Sequence, residues 1–220
     1  MEGGGGKRFC SALNIEGKKV VGVRGDKRDV INVVIPDGID EIGDCAFVEC
    51  DALASVVMPN SVTSIGKRTF ECCGPNSMTF GANLMLDENG MDSFDGCTCI
   101  PCEAPMCIKM SDCLKCIGEF AFRICEQLTS LTLPNGLTRV GKCAFECSGL
   151  TSITLPDSLT NVEEGVFGYC FSLKYVKLPN SLRSVGKSAF THCKLLTSVT
   201  LPNSITSVGE RALPTRNLYV

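Results

Sequence analysis

The chain has 220 residues, 44% of them apolar and none of them tryptophan, and its 21 Lys/Arg against 24 Asp/Glu give a formal charge of −3. That near-balance, without a polybasic or polyacidic tail, excludes the basic footprint of a nucleic-acid binder. No apolar run approaches the ~20 residues needed to cross a bilayer, so no membrane span is expected.

Residues 1–12 open with MEGGGG and read as a flexible lead-in. They lack the basic-then-apolar order of a secretory signal, so the chain is expected in the cytoplasm or another reducing compartment. Removal of a leader would place it at the cell surface instead. Residues 13–29 hold two short apolar runs around Gly17, in LNIEGKKVVGVRG, and predict a capping hairpin that shields the first coil of the repeat region.

From residue 30 to 213 one unit recurs. Anchored on the aromatic of its AF dipeptide, the unit returns at Phe47, Phe70, Phe94, Phe122, Phe145, Phe167, Phe190 and Leu213, at intervals of 23, 24, 28, 23, 22, 23 and 23 residues. The stretches LASVVMPNSVTSIG, LTSLTLPNGLTRVG, LTSITLPDSLTNVE and LTSVTLPNSITSVG show its body. Such a period means one structural layer, stacked, because a single layer cannot bury its apolar side alone. In the last copy, SVTL alternates and is enriched in branched residues, so it predicts a strand with Val199 and Leu201 inward. Pro202 lacks an amide donor and ends that strand, and Asn203 favours a turn after it. Ile205 and Val208 return inward, and a glycine such as Gly186 or Gly209 is expected to permit a tight bend. SAF at 188–190 predicts a single helical turn that delivers the phenylalanine to the core. The fold class expected is a β-rich solenoid of about eight ~23-residue coils, each with a short strand and a short helical turn. Residues 214–220 are read as a C-terminal tail.

The pattern LTSITLP, then LT, V, VF and a cysteine, resembles the BspA-like leucine-rich repeats over residues 30–213. The resemblance implies a leucine-rich-repeat solenoid and a role in adhesion or protein binding, since members of that family are bacterial surface proteins and abundant proteins of some protists.

The chain is cysteine-rich, with sixteen in all. Seven fall in one repeat column: Cys50, Cys73, Cys97, Cys125, Cys170 and Cys193 three residues after the phenylalanine, and Cys147 two after. Free cysteine behaves as a small buried hydrophobe, and stacked copies pointing the same way bridge poorly. The column is therefore read as a reduced internal ladder, in keeping with a reducing compartment. Cys45 and Cys143, just before AF, are assigned to the same packing region.

Residues 81–117 break the rhythm. They carry Asp87 and Glu88 without calcium-loop spacing, and then Cys99-x2-Cys102 and Cys113-x2-Cys116, the pairing that a tetrahedral thiolate zinc site uses. The repeat register opposes convergence, because it sets the two pairs at opposite ends of a strand ~16 Å long. Zinc at Cys99, Cys102, Cys113 and Cys116, a local disulfide, and free thiols in an irregular loop are the three readings, and the register favours the last. No other cofactor is expected. Insertions in repeat proteins often lie on the binding face.

An enzyme is not expected. His192 is the sole histidine, and no nucleophile elbow, phosphate loop or dinucleotide fingerprint is present. What remains is surface. The outward strand positions are mostly serine and threonine, interrupted at Lys109 and by Lys174, Tyr175 and Lys177, where a tyrosine flanked by lysines suits an interface anchor. The function expected is a scaffold for protein–protein interaction, acting through this strand face and the 81–117 region. The alternatives are a structural subunit of a larger assembly, or an adhesin. The partner's identity is not written in the sequence.

Overall fold

The computed structural model describes residues 13–66, 68–73, 77–81, 107–110, 112 and 114–214, with Cys107 and Lys109 described by their backbone. The chain repeats one coil, and successive coils give two short strands to two parallel ladders. Three-residue strands Asn32–Val34, Ser55–Val57, Ser77–Thr79, Cys107–Lys109 and Ser130–Thr132 form one sheet, paired without register shift. Ser152–Thr154 pairs with Tyr175–Lys177 in a second. Two-residue strands line the other ladder: Glu41–Ile42 with Ser64–Ile65, Cys116–Ile117 with Arg139–Val140, and Asn161–Val162 with Ser184–Val185 and Ser207–Val208. A hairpin of Leu13–Glu16 and Lys19–Val23 joins this ladder through Lys19 and Val20, opposite Glu41 and Ile42.

Side-chain alternation decides what fills the interior. The middle residue of the three-residue strands, such as Val33, Val56, Met78 and Ile153, is buried, with Leu131 only half-buried, while its two neighbours point outward. Opposite them, Phe47, Phe70, Phe122, Phe145, Phe167 and Phe190 are fully buried. Their rings stack at 5.4–5.6 Å with interplanar angles of 5–12°, so each coil covers the apolar face that the previous one leaves open.

The segment expected as a helical turn is not helical. Its backbone bonds close over three residues, as in Ala46 N to Gly43 O (3.3 Å), Val48 N to Cys45 O (3.1 Å) and Cys50 N to Phe47 O (3.2 Å). The residues two before and two after the phenylalanine take φ of +52° to +66°, as at Cys45 and Glu49, Phe120 and Ile124, Cys143 and Cys147, and Gly165 and Tyr169. That reversal aims alternate amides along the stack: Cys143, Phe145 and Cys147 donate to Glu164, Val166 and Gly168 of the next coil, each at 2.9 Å. A helical turn would keep those bonds inside its own coil. Left-handed backbone costs about 1–2 kcal/mol per L-residue, and the inter-coil bonds offset it. The described helix content is one 3-10 turn, Lys27–Asp29, capped by Asp26, whose carboxylate accepts from Arg28 N at 2.9 Å.

Two further expectations are corrected. The strand predicted at 198–201 is absent: Val199 and Leu201 are half-buried, and the backbone there does not join the ladder at Tyr175–Lys177. Gly186 and Gly209 do not have positive φ. A Cβ on Gly186 would lie 2.6 Å from Glu163 C, and one on Gly209 2.4 Å from Lys187 N. Glycine stands there to let two coils touch, rather than to make a bend.

Both ladders open at one plane. Among the described residues no backbone bond joins Ser130–Thr132 to Ser152–Thr154, or Arg139–Val140 to Asn161–Val162. This is the coil of 22 residues, where Ser148-Gly149-Leu150 replaces the four-residue step Cys125–Leu128. Gly149 draws the chain so close that a Cβ would fall 1.8 Å from Glu126 O. The plane stays bonded on the phenylalanine side through Phe145 N to Val166 O and, just before the strands, through Thr151 N to Thr129 O at 3.0 Å; beyond that bond a groove of about 420 Å³ opens along Ser130–Leu133 and Ser152–Thr154.

Candidate interaction surface

The repeated hydroxyls and thiols are structural donors between coils. Ser181 Oγ donates to Leu159 O at 2.9 Å, and Ser158 and Ser204 make the same bond to Leu137 and Leu182. Thr63, Thr138 and Thr206 donate to Asp40, Lys115 and Arg183 carbonyls at 3.0–3.1 Å. Cys73, Cys170 and Cys193 donate from Sγ to the carbonyls of Phe47, Phe145 and Phe167 at 3.0–3.3 Å. These groups are occupied by the fold and leave the surface to other positions.

The cysteine column is as buried as its repetition implies, at Cys50, Cys73, Cys125, Cys170 and Cys193. Cys147 does not belong to it. It stands one residue early, half-buried in the left-handed position, and Ser148 fills the slot instead, with its Oγ 3.3 Å from Cys170 Sγ. The slot keeps its spacing of three residues from the phenylalanine in this coil too, and serine stands at that position while Cys147 matches Ile124 of the preceding coil. Burial pushes the thiols of Cys143 and Cys170 up to about 11 and that of Cys193 up to about 12. A thiol held neutral in this way is a poor nucleophile at neutral pH. Of the zinc set, Cys99, Cys102 and Cys113 lie outside the described residues. Cys116 opens the strand Cys116–Ile117, half-buried, opposite Arg139. Among the described residues no group of three or more metal-ligating side chains converges. Most of the 81–117 region also lies outside them.

The strand face is a solvated rack. Asn32, Ser77, Ser130, Ser152, Thr132 and Thr154 are exposed along it, with apolar Val34 and Val57 at its N-terminal end. At the other end Tyr175 is 57% exposed, with exposed Lys174 and Lys177 beside it. Lys109 takes the same strand position as Thr79 and Thr132, in register with both.

A second feature of this end escaped sequence reasoning. Tyr169 stacks on His192 at 4.7 Å, Phe171 meets the Tyr169 ring edge-on at 6.2 Å, and Lys194 Nζ lies 5.0 Å over Phe171. The sequence signal was there: Tyr169 and His192 stand two residues after their phenylalanines, and Phe171 and Lys194 four after. Positions equal in register become neighbours in space. His192 is exposed and spends its ring on a tyrosine rather than on a thiol.

Among the described residues no helix is long and apolar enough to cross a membrane. The family model for the BspA type leucine-rich repeat region matches residues 26–104 and 101–218, in six copies. A leucine-rich repeat protein from Bacteroides ovatus is 29% identical, with a TM-score of 0.75 over 90% of this chain and 53% of that one. The chain thus spans about half the length of that protein. The leucine-rich repeat protein of T. pallidum is 27% identical, with a TM-score of 0.66 over 81% of this chain and 82% of that one. No curated protein sequence matches the chain. With its stacked phenylalanines, paired ladders and 23-residue register matched along almost its whole length, the chain belongs to the BspA-type leucine-rich repeat family.

Proposed function

We propose that the chain is a non-enzymatic scaffold that holds a protein partner on its strand face, with the 81–117 region contributing to the same contact. The observation that carries this reading is the character of that face. It is a rigid row of outward side chains on paired strands, polar in its middle and presenting Val34, Val57 and Tyr175 to solvent. Exposed apolar side chains on a solvated sheet are where protein interfaces find their anchors. Chemistry is disfavoured by the thiols that burial holds protonated. No cofactor enters this reading. Protonated thiols that donate to carbonyls accord with residence in a reducing compartment.

The test is affinity capture with the full chain as bait, comparing wild type with Val57→Asp and with Tyr175→Ala. A dominant partner lost from both variants supports selective recognition by this face. Capture unchanged by either variant overturns it. Co-fractionation of both variants, like wild type, with one large complex favours the alternative, a structural subunit of an assembly.

A further inference from the structure

Charge is distributed unevenly along the stack. Between Gly165 and Gly209 there are five Lys/Arg and no Asp/Glu, a formal +5 on a molecule whose total is −3. Elsewhere, basic side chains are commonly matched one coil away: Lys19 to Glu41 at 2.6 Å, Arg123 to Glu146 at 2.9 Å, and Lys142 to Glu164 at 3.0 Å. Two of the five have other settings. Lys187 stands in a register column between Glu164 and Glu210, and Arg183 leads into the two-residue strand Ser184–Val185. Lys174, Lys177 and Lys194 are exposed, and none of the three makes an ion pair among the described residues.

These lysines are set among rings. Lys194 caps Phe171, which is half exposed and braced edge-on by Tyr169, itself stacked on His192. Three and four residues after Phe171 come Lys174 and Tyr175, at most ~14 Å along the chain, with Leu173 fully buried between them as an anchor. We propose that this patch docks a short acidic segment of a partner protein. Its carboxylates meet the ammonium groups of Lys174, Lys177 and Lys194, and an apolar side chain lies against Phe171 and Tyr175. The inference rests on the protein-binding reading above and adds the chemistry of the partner. A short peptide fits better than a long polyanion. Beyond Gly165 to Gly209 the chain carries 16 Lys/Arg against 24 Asp/Glu, so a nucleic acid or an anionic membrane extending past the patch meets a surface of its own sign.

The experiment measures fluorescence anisotropy of a labelled Glu-Glu-Leu-Glu-Glu-Phe-Glu-Glu peptide against the full chain. The same peptide with every glutamate replaced by glutamine, a twelve-nucleotide oligothymidylate, and phosphatidylserine–phosphatidylcholine vesicles serve as competitors of different class. The acidic peptide is expected to bind, and to weaken about ten-fold or more in the glutamine form and in the Lys174→Glu, Lys177→Glu, Lys194→Glu variant. Phe171→Ala is expected to weaken it several-fold, and Lys18→Ala to leave it unchanged. All three lysines are exposed, and an unchanged thermal melt shows that the triple variant is folded. No binding, equal binding of the glutamine peptide, or tighter binding of the oligonucleotide or vesicles overturns the proposal. If affinity capture still depends on Val57 while the acidic peptide fails, the scaffold reading stands and this inference falls alone.

Discussion

Cys170 and Cys193 sit where a hydrocarbon-sized slot and a carbonyl meet, and both facts matter for their chemistry. The thiol fills the slot and donates to Phe145 O or Phe167 O, while burial holds the proton on sulfur to about pH 11 and about pH 12. In the unfolded chain the same thiols ionise near pH 9.0. Between those values the folded state binds more protons than the unfolded one, so stability is fully present below pH 9 and falls as pH rises. The slope is about 1.4 kcal/mol per pH unit for each fully buried group. Melting temperature is therefore expected to fall above pH 9, and to fall less steeply in a Cys170→Ser, Cys193→Ser variant. Serine suits the slot because Ser148 already occupies it, buried, in the coil before Cys170. Thermal melts of both proteins from pH 7 to 11 make the comparison.

Where one coil meets the next, the limiting contact is backbone on backbone. At Gly186 a methyl group would stand 2.6 Å from Glu163 C and Glu164 N, atoms that cannot move without parting two coils. At Gly136 the nearest obstacle is Lys115 Nζ, 2.7 Å away at the end of a flexible side chain. The same substitution should thus diverge: Gly186→Ala is expected to destabilise by about 1–3 kcal/mol or more through overpacking, and Gly136→Ala to be near neutral. Urea unfolding of the two variants decides it. The left-handed turns around each phenylalanine answer to the same inter-coil contacts. A helical turn was the simpler expectation from SAF, but isolated helical turns leave their terminal amides unpaired. The alternating backbone instead hands those amides to the next coil, as from Phe167 N to Ala189 O at 2.9 Å.

Over the whole molecule the 22-residue coil marks a plane at which, among the described residues, the strands of both ladders part. Leu155 N donates to Lys177 O at 3.0 Å and Met58 N to Thr79 O at 3.0 Å, but among the described residues the equivalent amide of Leu133 has no bond to Thr154. Grooves of about 460 and 420 Å³ run beside Leu133 and give water access to it. Hydrogen exchange is expected to be faster at Leu133 than at Leu155, although both side chains are buried. Equal protection at the two amides would mean that the ladders are continuous in solution. Among the described residues the plane also separates an N-terminal part, where most basic groups are ion-paired, from the C-terminal coils that carry the unpaired Lys174, Lys177 and Lys194 and the exposed rings.

The sequence alone determined the layer, its period, and which residues face in, because a side chain repeated at a fixed interval must meet its own copy when coils stack. Phe122, Phe145, Phe167 and Phe190 were legible for that reason, and so was the outward row that includes Tyr175. What only the tertiary structure decided were contacts between coils. They set the left-handed turns, the use of glycine for close approach, the parting of the strands at the 22-residue coil, and the joining of Tyr169, Phe171, His192 and Lys194. Each depends on the offset between one coil and the next. A single deleted residue changes that offset, and no pattern within one coil records the result.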